Sequence, residues 1–225
     1  MGKADRYFNA PIQLLSGFLV NSNKSISDIM YYCCYERATV DDISIEEAAE
    51  YYGITLGNLL NVEKRGKVLY DSIDKTVVVG INRDKMFEFY KEDKTEFEKS
   101  CFLAFLSLKS ILQKKPYCKI DNKFFLARMD GKCKSITDLT QLSEKVFNYA
   151  NEYQTVKIKR ALSDSWGLVT YSRYTRGFYV SFSLSLTDLI YEAEKRRQSV
   201  KNKQRKDFES SALKLALERL QKTSA

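Results

Sequence analysis

Basic and amide side chains cluster at three places in the second half of the chain, within residues 154–160, 173–176 and 196–203. These side chains donate hydrogen bonds and most carry positive charge, the chemistry that recognises phosphates and base edges. The set consists of Gln154, Thr155, Lys157, Lys159, Arg160, Arg173, Tyr174, Arg176, Arg196, Arg197, Lys201 and Lys203. The sequence therefore predicts contact with a polyanion.

Catalytic and metal-binding residues are sparse. The 225-residue chain contains no histidine, which excludes Ser-His-Asp and Cys-His catalysis and histidine-ligated metal sites. Its five cysteines form an odd set without a CxxC pair, typical of reduced thiols rather than of a disulfide framework. No convincing pair of catalytic carboxylates is present. We expect no enzymatic activity, no metal, no cofactor and no small-molecule substrate.

Charge is divided unequally along the chain. Residues 1–93 contain 11 Lys and Arg against 15 Asp and Glu, a net charge of −4. Residues 94–225 contain 26 against 14, a net charge of +12. Such a division attracts a polyanion to one end of a molecule, and nucleic acid is a more frequent partner than an anionic membrane surface.

The chain shows no signal for secretion or membrane insertion. No apolar run reaches 18 residues, and the first residues lack the apolar stretch of a signal peptide. These observations predict a cytoplasmic protein without a membrane span, or a virion-associated one if the source is a phage.

The second half begins with a strong helix signal. Thr95 and Glu98 have the spacing of a capping box, and a broad apolar face follows between Phe102 and Leu112. This pattern predicts a buried central helix that ends before Pro116.

Further elements follow in a regular order. Residues 117–120 are typical of a short strand, residues 121–131 of a helix with Asp121 as N-cap, and residues 135–151 of another helix. Residues 152–166 predict a basic helix with one inward face: Ile158, Ala161, Leu162 and Ser165.

A β-hairpin is predicted between Leu168 and Phe182. Apolar and polar residues alternate on both sides of a short connection. Gly177 closes the turn, where positive φ favours glycine. The tip carries Arg173, Tyr174 and Arg176 and no acidic residue.

The stretch "TVKIKRALSDSWGLVTYSRYTRGFYVSF" resembles the recognition helix and wing of a winged-helix domain, and the resemblance covers residues 95–182. It implies that the helix offers Gln154, Thr155, Lys157 and Lys159 to bases and phosphates in the major groove. It also implies that Arg173 and Arg176 in the wing contact the neighbouring phosphate backbone. The helix at residues 121–131 is additional to the minimal family pattern.

The first half allows two interpretations. Residues 25–38, 44–55 and 56–66 are typical of helices, and residues 67–82 of a hairpin that turns at Asp74 and Lys75. In one interpretation this is a degenerate second winged helix, and the whole chain then resembles the tandem winged-helix replication initiators of plasmids and phages. In the other it is an unrelated helical domain that serves dimerisation.

The tail from Thr187 to Lys222 lacks helix breakers and predicts one long helix or two. Residues 194–206 contain seven basic residues and one acid, which suits a phosphate-contacting or disordered arm, or alternatively the solvated face of a helix. An apolar stripe follows, too short for a stable coiled coil: Leu213, Ala216, Leu217 and Leu220.

Together these patterns predict a mainly α fold with short β-hairpins (α+β) in three units, residues 1–93, 94–186 and 187–225. We expect a protein that binds double-stranded DNA, either as a replication initiator or as a transcription regulator of a mobile element. A homodimer stays open. The alternative function is that of a structural or protein-interaction module of a phage or mobile element.

Overall fold

The computed structural model describes residues 6–55, 59–172 and 177–223, and its first half is built on an antiparallel strand pair. Strand β1 (Tyr7–Pro11) pairs with β2 (Val78–Asn82), with Phe8 opposite Ile81. The elements between them are a 3-10 turn (Ile12–Leu15), α1 (Ser22–Val40), α2 (Ile45–Tyr52), α3 (Leu59–Asn61), a π-helical segment (Val62–Gly66) and α4 (Lys67–Ser72). Helix α5 (Arg83–Lys91) follows β2 directly.

The second half is organised around a long buried helix and a three-stranded sheet. Its elements are α6 (Glu96–Leu112), β3 (Cys118–Ile120), α7 (Asn122–Met129), a 3-10 turn (Leu139–Gln141), α8 (Glu144–Phe147), α9 (Glu152–Trp166), β4 (Val169–Tyr171), β5 (Phe178–Ser181) and α10 (Leu186–Thr223). The antiparallel strand order is β3–β5–β4. The mainly α fold with small antiparallel sheets is thus confirmed.

Several local predictions are confirmed. Thr95 and Glu98 form the capping box of α6, and Asp121 caps α7 by accepting a hydrogen bond from the Phe124 amide. The hairpin forms as β4 and β5, with Gly177 at φ +91°. The tail is one continuous helix over its described length.

The hairpin predicted at residues 67–82 is wrong. Residues 67–72 are helical, and β2 pairs with β1 instead of with the segment before it. The burial of one side chain and the close approach of one glycine account for this arrangement. Leu69 is buried, and the Cα of Gly66 lies so close to α1 that an added Cβ would stand 2.7 Å from the Tyr31 carbonyl oxygen. The segment is therefore held as a helix against α1.

The helix predicted across residues 135–151 is also wrong, since only two short helical turns form there. The buried carboxylate of Asp130 accepts hydrogen bonds from the amide and hydroxyl of Ser143. Asp138 caps the Thr140 amide at 2.8 Å. The bonds to Asp130 tie the segment to the end of α7, and together with the Asp138 cap they take the place of a continuous intrahelical ladder.

The two halves share their apolar interior. Buried side chains from both form one contiguous cluster, and the ring of Phe18 lies 5.9 Å from that of Phe102 on α6. Gly131, at φ +74°, lets the end of α7 approach the backbone of Ser16 closely. Among the helices described, none combines the length and apolarity needed to cross a membrane.

Candidate nucleic-acid interface

Helix α9 is positioned by its caps and by its inward face. The Asn151 side chain accepts a hydrogen bond from the Gln154 amide at 2.9 Å, and Gly167 ends the helix at φ +69°. Thr155, Ile158 and Leu162 are buried at helical spacing. The opposite side of α9 is consequently presented to solvent.

That exposed side mixes cations with apolar groups. Lys157 and Arg160 are exposed. The Lys157 Nζ lies 4.4 Å from the centre of the Phe97 ring, and the Arg160 Nε lies 4.0 Å from an Asp164 oxygen. Tyr153 and Val156 are 72% and 55% exposed on the same helix. The cation–π contact of Lys157 and the long ion pair of Arg160 are both weak, so the two cationic groups are accessible to a larger anion.

Two residues assigned to base or phosphate contact do not lie on this side. Thr155 is 2% exposed, and its hydroxyl donates to the Glu152 carbonyl. Lys159 turns toward α7 and β5, where its Nζ donates to the Asn122 side chain at 2.9 Å and lies 3.5 Å from the Phe178 ring centre. Burial lowers the pKa of Lys159 to about 8. Gln154 is half-buried.

The base of the hairpin is fixed by close backbone contact. An added Cβ on Gly177 would stand 2.5 Å from the Ile120 carbonyl oxygen. Only a glycine lets β5 approach β3 at this point. The tip residues Arg173, Tyr174 and Arg176 lie outside the described residues.

Helix α10 continues from the sheet as a basic rod. Leu189 and Ala193 are buried, and α10 contacts β4 and β5. The Tyr171 hydroxyl donates to Glu194 at 2.9 Å. Every described side chain from residue 198 to residue 214 is exposed.

The four tail residues identified from the sequence all lie on α10. Arg196, Lys201 and Lys203 are exposed, whereas Arg197 is half-buried with its Nη1 3.8 Å from a Glu194 oxygen. Arg196, Arg197 and Lys201 line a groove between α10 and the sheet, and Lys203 stands beyond it.

Lys119 and Tyr179 also line this groove, although neither was among the contact residues predicted from the sequence. They pair across β3 and β5, and the groove that they line has a volume of about 440 Å³. Alternation along β5, with Phe178 and Val180 buried, marks Tyr179 as facing the other side of the sheet. The pairing of β3 with β5, however, joins residues about 60 positions apart and has no local signal.

The helical segment from Leu59 to Ser72 in the first half contains an arginine that, unlike Arg160 on α9, is held in a close ion pair. Arg65 makes two hydrogen bonds to Asp28 of α1, at 2.9 and 2.8 Å. This bidentate pair occupies the guanidinium. Lys64 and Lys67 on the same segment are exposed.

Comparisons of the chain with protein-family models, with curated proteins and with solved structures found no match. Within the described ranges, no group of three or more Cys, Asp or Glu side chains is arranged to hold a metal ion. The interpretation of function therefore depends on the geometry and charge of α9, the hairpin and α10.

Proposed function

We propose that the protein binds double-stranded DNA through the exposed side of α9, with α10 adding contacts to the phosphate backbone. The observation that carries the proposal is the placing of Lys157 and Arg160 on the solvent side of a helix that leads directly into a β-hairpin. The chain order α6, β3, α7, α8, α9 and hairpin resembles that of a winged-helix domain with one additional helix, and the net charge of +12 in this half supports a polyanionic partner.

In this proposal α9 enters the major groove with its exposed side. Lys157 and Arg160 pair with phosphates or with the acceptors of guanine, while Val156 and Tyr153 provide apolar contact to base edges. Thr155 and Lys159 support α9 from within the domain instead of touching DNA. The role of the bound protein is that of a replication initiator or of a transcription regulator of a mobile element.

Phosphate contacts from α10 add affinity without sequence preference. With Lys157, Arg160, Arg196, Lys201 and Lys203 each releasing a counterion, the slope of log affinity against log salt is about −4.5. This steep dependence of affinity on salt distinguishes binding through phosphate contacts from binding through an apolar surface.

The proposal is tested by fluorescence anisotropy of a labelled duplex pool, titrated with protein between about 50 and 300 mM salt. The double variant Lys157→Glu/Arg160→Glu should lower duplex affinity at least about tenfold, because it replaces two cations that contact phosphate with carboxylates that repel it. The matched control is Lys64→Glu/Lys67→Glu, which makes the same charge change at two exposed positions of the helical segment in the first half.

The control should change affinity less than about twofold. Equal losses in both variants would show that binding follows net charge rather than the surface of α9. A wild-type protein that binds no duplex at low salt would overturn the proposal.

A second candidate function, protein binding, is favoured by one apolar groove. It has a volume of about 530 Å³, lies between β2, α5, α6 and the end of α9, and is lined by Phe89, Phe105 and Trp166. Trp166 is the single tryptophan of the chain, so its emission reports directly on this groove. A large stable assembly in gel filtration without DNA, together with a blue-shifted Trp166 emission, would favour this function over DNA binding.

A further inference from the structure

We propose that the groove between α10 and the outer face of the β3–β5–β4 sheet binds an unpaired nucleotide, its base stacked on Tyr179 and its phosphate paired with Arg196 and Lys201. This inference rests on the proposed nucleic-acid function and extends it from duplex DNA to single-stranded chains.

Tyr171 and Tyr179 are the aromatic residues of the groove lining, and Tyr117 lies next to Tyr179. The ring centre of Tyr179 lies 6.3 Å from that of Tyr117 and 6.5 Å from that of Tyr171, with 30° between the planes of the latter pair. Tyr179 is central in the sheet, since β5 has a neighbour on each side. Stacking on such rings suits every base, because every base has a π-face.

The ionic part of the groove surrounds these rings. The Lys119 Nζ stands 5.9 Å from the Tyr179 ring centre, and Arg196, Arg197 and Lys201 line the α10 side. Glu194 is also present and accepts the Tyr171 hydroxyl, so the described lining holds four cations and one carboxylate. This balance favours a ligand that carries phosphate.

The size and form of the groove match this ligand. A volume of about 440 Å³ falls within the range of about 300–1,000 Å³ typical of small-ligand sites. A base pair of an intact duplex has both faces stacked and cannot offer one to Tyr179. An unpaired nucleotide offers a free face and a phosphate together, so single strands and free nucleotides are the two possible sources.

The test compares the full-length protein and its variants in anisotropy with a labelled single strand of mixed sequence and with a labelled duplex. Tyr179→Leu should lower single-strand affinity at least about fivefold, because it removes the stacking ring. Tyr179→Phe keeps the ring and should retain the affinity. Duplex affinity should stay within about twofold in both variants, which also shows that the fold is intact.

The phosphate contact has its own matched pair. Arg196→Gln removes a charge that lines the groove, and Lys203→Gln removes one from the same helix beyond the groove. Arg196→Gln should weaken single-strand binding several times more strongly, since only Arg196 adjoins the stacked base. Competition with dAMP identifies the source. Displacement of the strand assigns the site to a free nucleotide, and retention assigns it to a nucleotide within a strand.

Equal single-strand affinity for wild type and Tyr179→Leu would overturn the inference while duplex binding, if intact, leaves the proposed function standing. Loss of affinity in Tyr179→Phe as well as in Tyr179→Leu would also overturn it, because stacking does not require the hydroxyl. A protein that binds single strands but no duplex would refute the duplex proposal alone.

Discussion

The helical segment from Leu59 to Ser72 and α9 hold corresponding places in the two halves, because each follows two helices and leads into a strand. In the first half the strand returns to β1, the N-terminal strand, and Arg65 is held by Asp28. In the second half the strand after α9 is β4, which pairs with the next strand, β5, and Lys157 and Arg160 face solvent. A similar order of elements therefore holds an arginine in a bidentate ion pair in one half and leaves two cations exposed to solvent in the other.

The partner of the strand after each helix makes the difference. β2 pairs with β1, whose residues lie 67 to 75 positions earlier in the chain, so β2 forms no hairpin with the described segment that precedes it. β4 pairs with the next strand, and β5 is held in turn by β3. In the proposed function, the hairpin and the exposed helix beside it form the nucleic-acid surface of the second half, whereas the corresponding helical segment of the first half packs against α1.

The largest expected effect comes from the base of the hairpin. Gly177→Ala places a Cβ 2.5 Å from the Ile120 carbonyl oxygen at φ +91° and should lower the free energy of unfolding by about 3 kcal/mol. Urea denaturation measures this loss. The control Gly167→Ala has φ +69° but no atom within 4 Å of its Cβ, so it should cost only about 1 kcal/mol. Equal losses would mean that the approach of β5 to β3 does not hold the hairpin.

The corresponding contact of the first half is Gly66 against α1. Its φ of −58° is helical, so Gly66→Ala adds no backbone strain, but the Cβ would stand 2.7 Å from the Tyr31 carbonyl oxygen. The variant should lose about 2 kcal/mol in urea denaturation. Val68→Ala, at an exposed position of the same segment, should change stability by less than about 0.5 kcal/mol. A gain in stability for Gly66→Ala would show that the segment is not fixed by this contact.

The smallest effects concern one cation in each half and should have opposite signs. Arg65→Met leaves Asp28, whose side chain is 15% exposed, without its partner, and should cost about 1 kcal/mol at pH 7. Lys159→Met removes a half-buried cation that has no carboxylate partner among its described contacts. It should therefore raise the free energy of unfolding at pH 7.

The depressed pKa of Lys159 makes the stability of the folded chain depend on pH. This pKa is about 8 in the folded chain and about 10.4 in an unfolded one. Between these values the unfolded chain binds more protons, so this group makes wild-type stability rise with pH, and its full penalty is present below pH 8. Urea denaturation at several pH values should show the advantage of Lys159→Met shrinking across this window. A constant difference between the two proteins would refute this account.

Local signals in the sequence predicted the elements whose interactions are local. The capping box at Thr95, the N-cap at Asp121 and the positive φ of Gly177 depend on neighbours within a few residues, and all three are found as expected. The buried position of Thr155 was also within reach, because it shares helical spacing with Ile158 and Leu162.

The elements that were missed depend on contacts between distant residues. β2 alternates like the second strand of a hairpin, and nothing nearby shows that its partner is β1. Residues 135–151 have helical periodicity, yet the buried carboxylate of Asp130 bonds to Ser143 and competes with the helix. The groove at Tyr179 likewise appears only when β3 pairs with β5.

In the proposed complex, helix α10 also determines how far along the nucleic acid the protein extends. The part of α10 that follows Arg197, residues 198–223, is about 39 Å long at a rise of 1.5 Å per residue. This length slightly exceeds one turn of B-form DNA, about 34–36 Å. Nuclease protection of a bound duplex should thus reach about one turn further than α9 alone can cover. A protein truncated after residue 197 should leave a correspondingly shorter footprint.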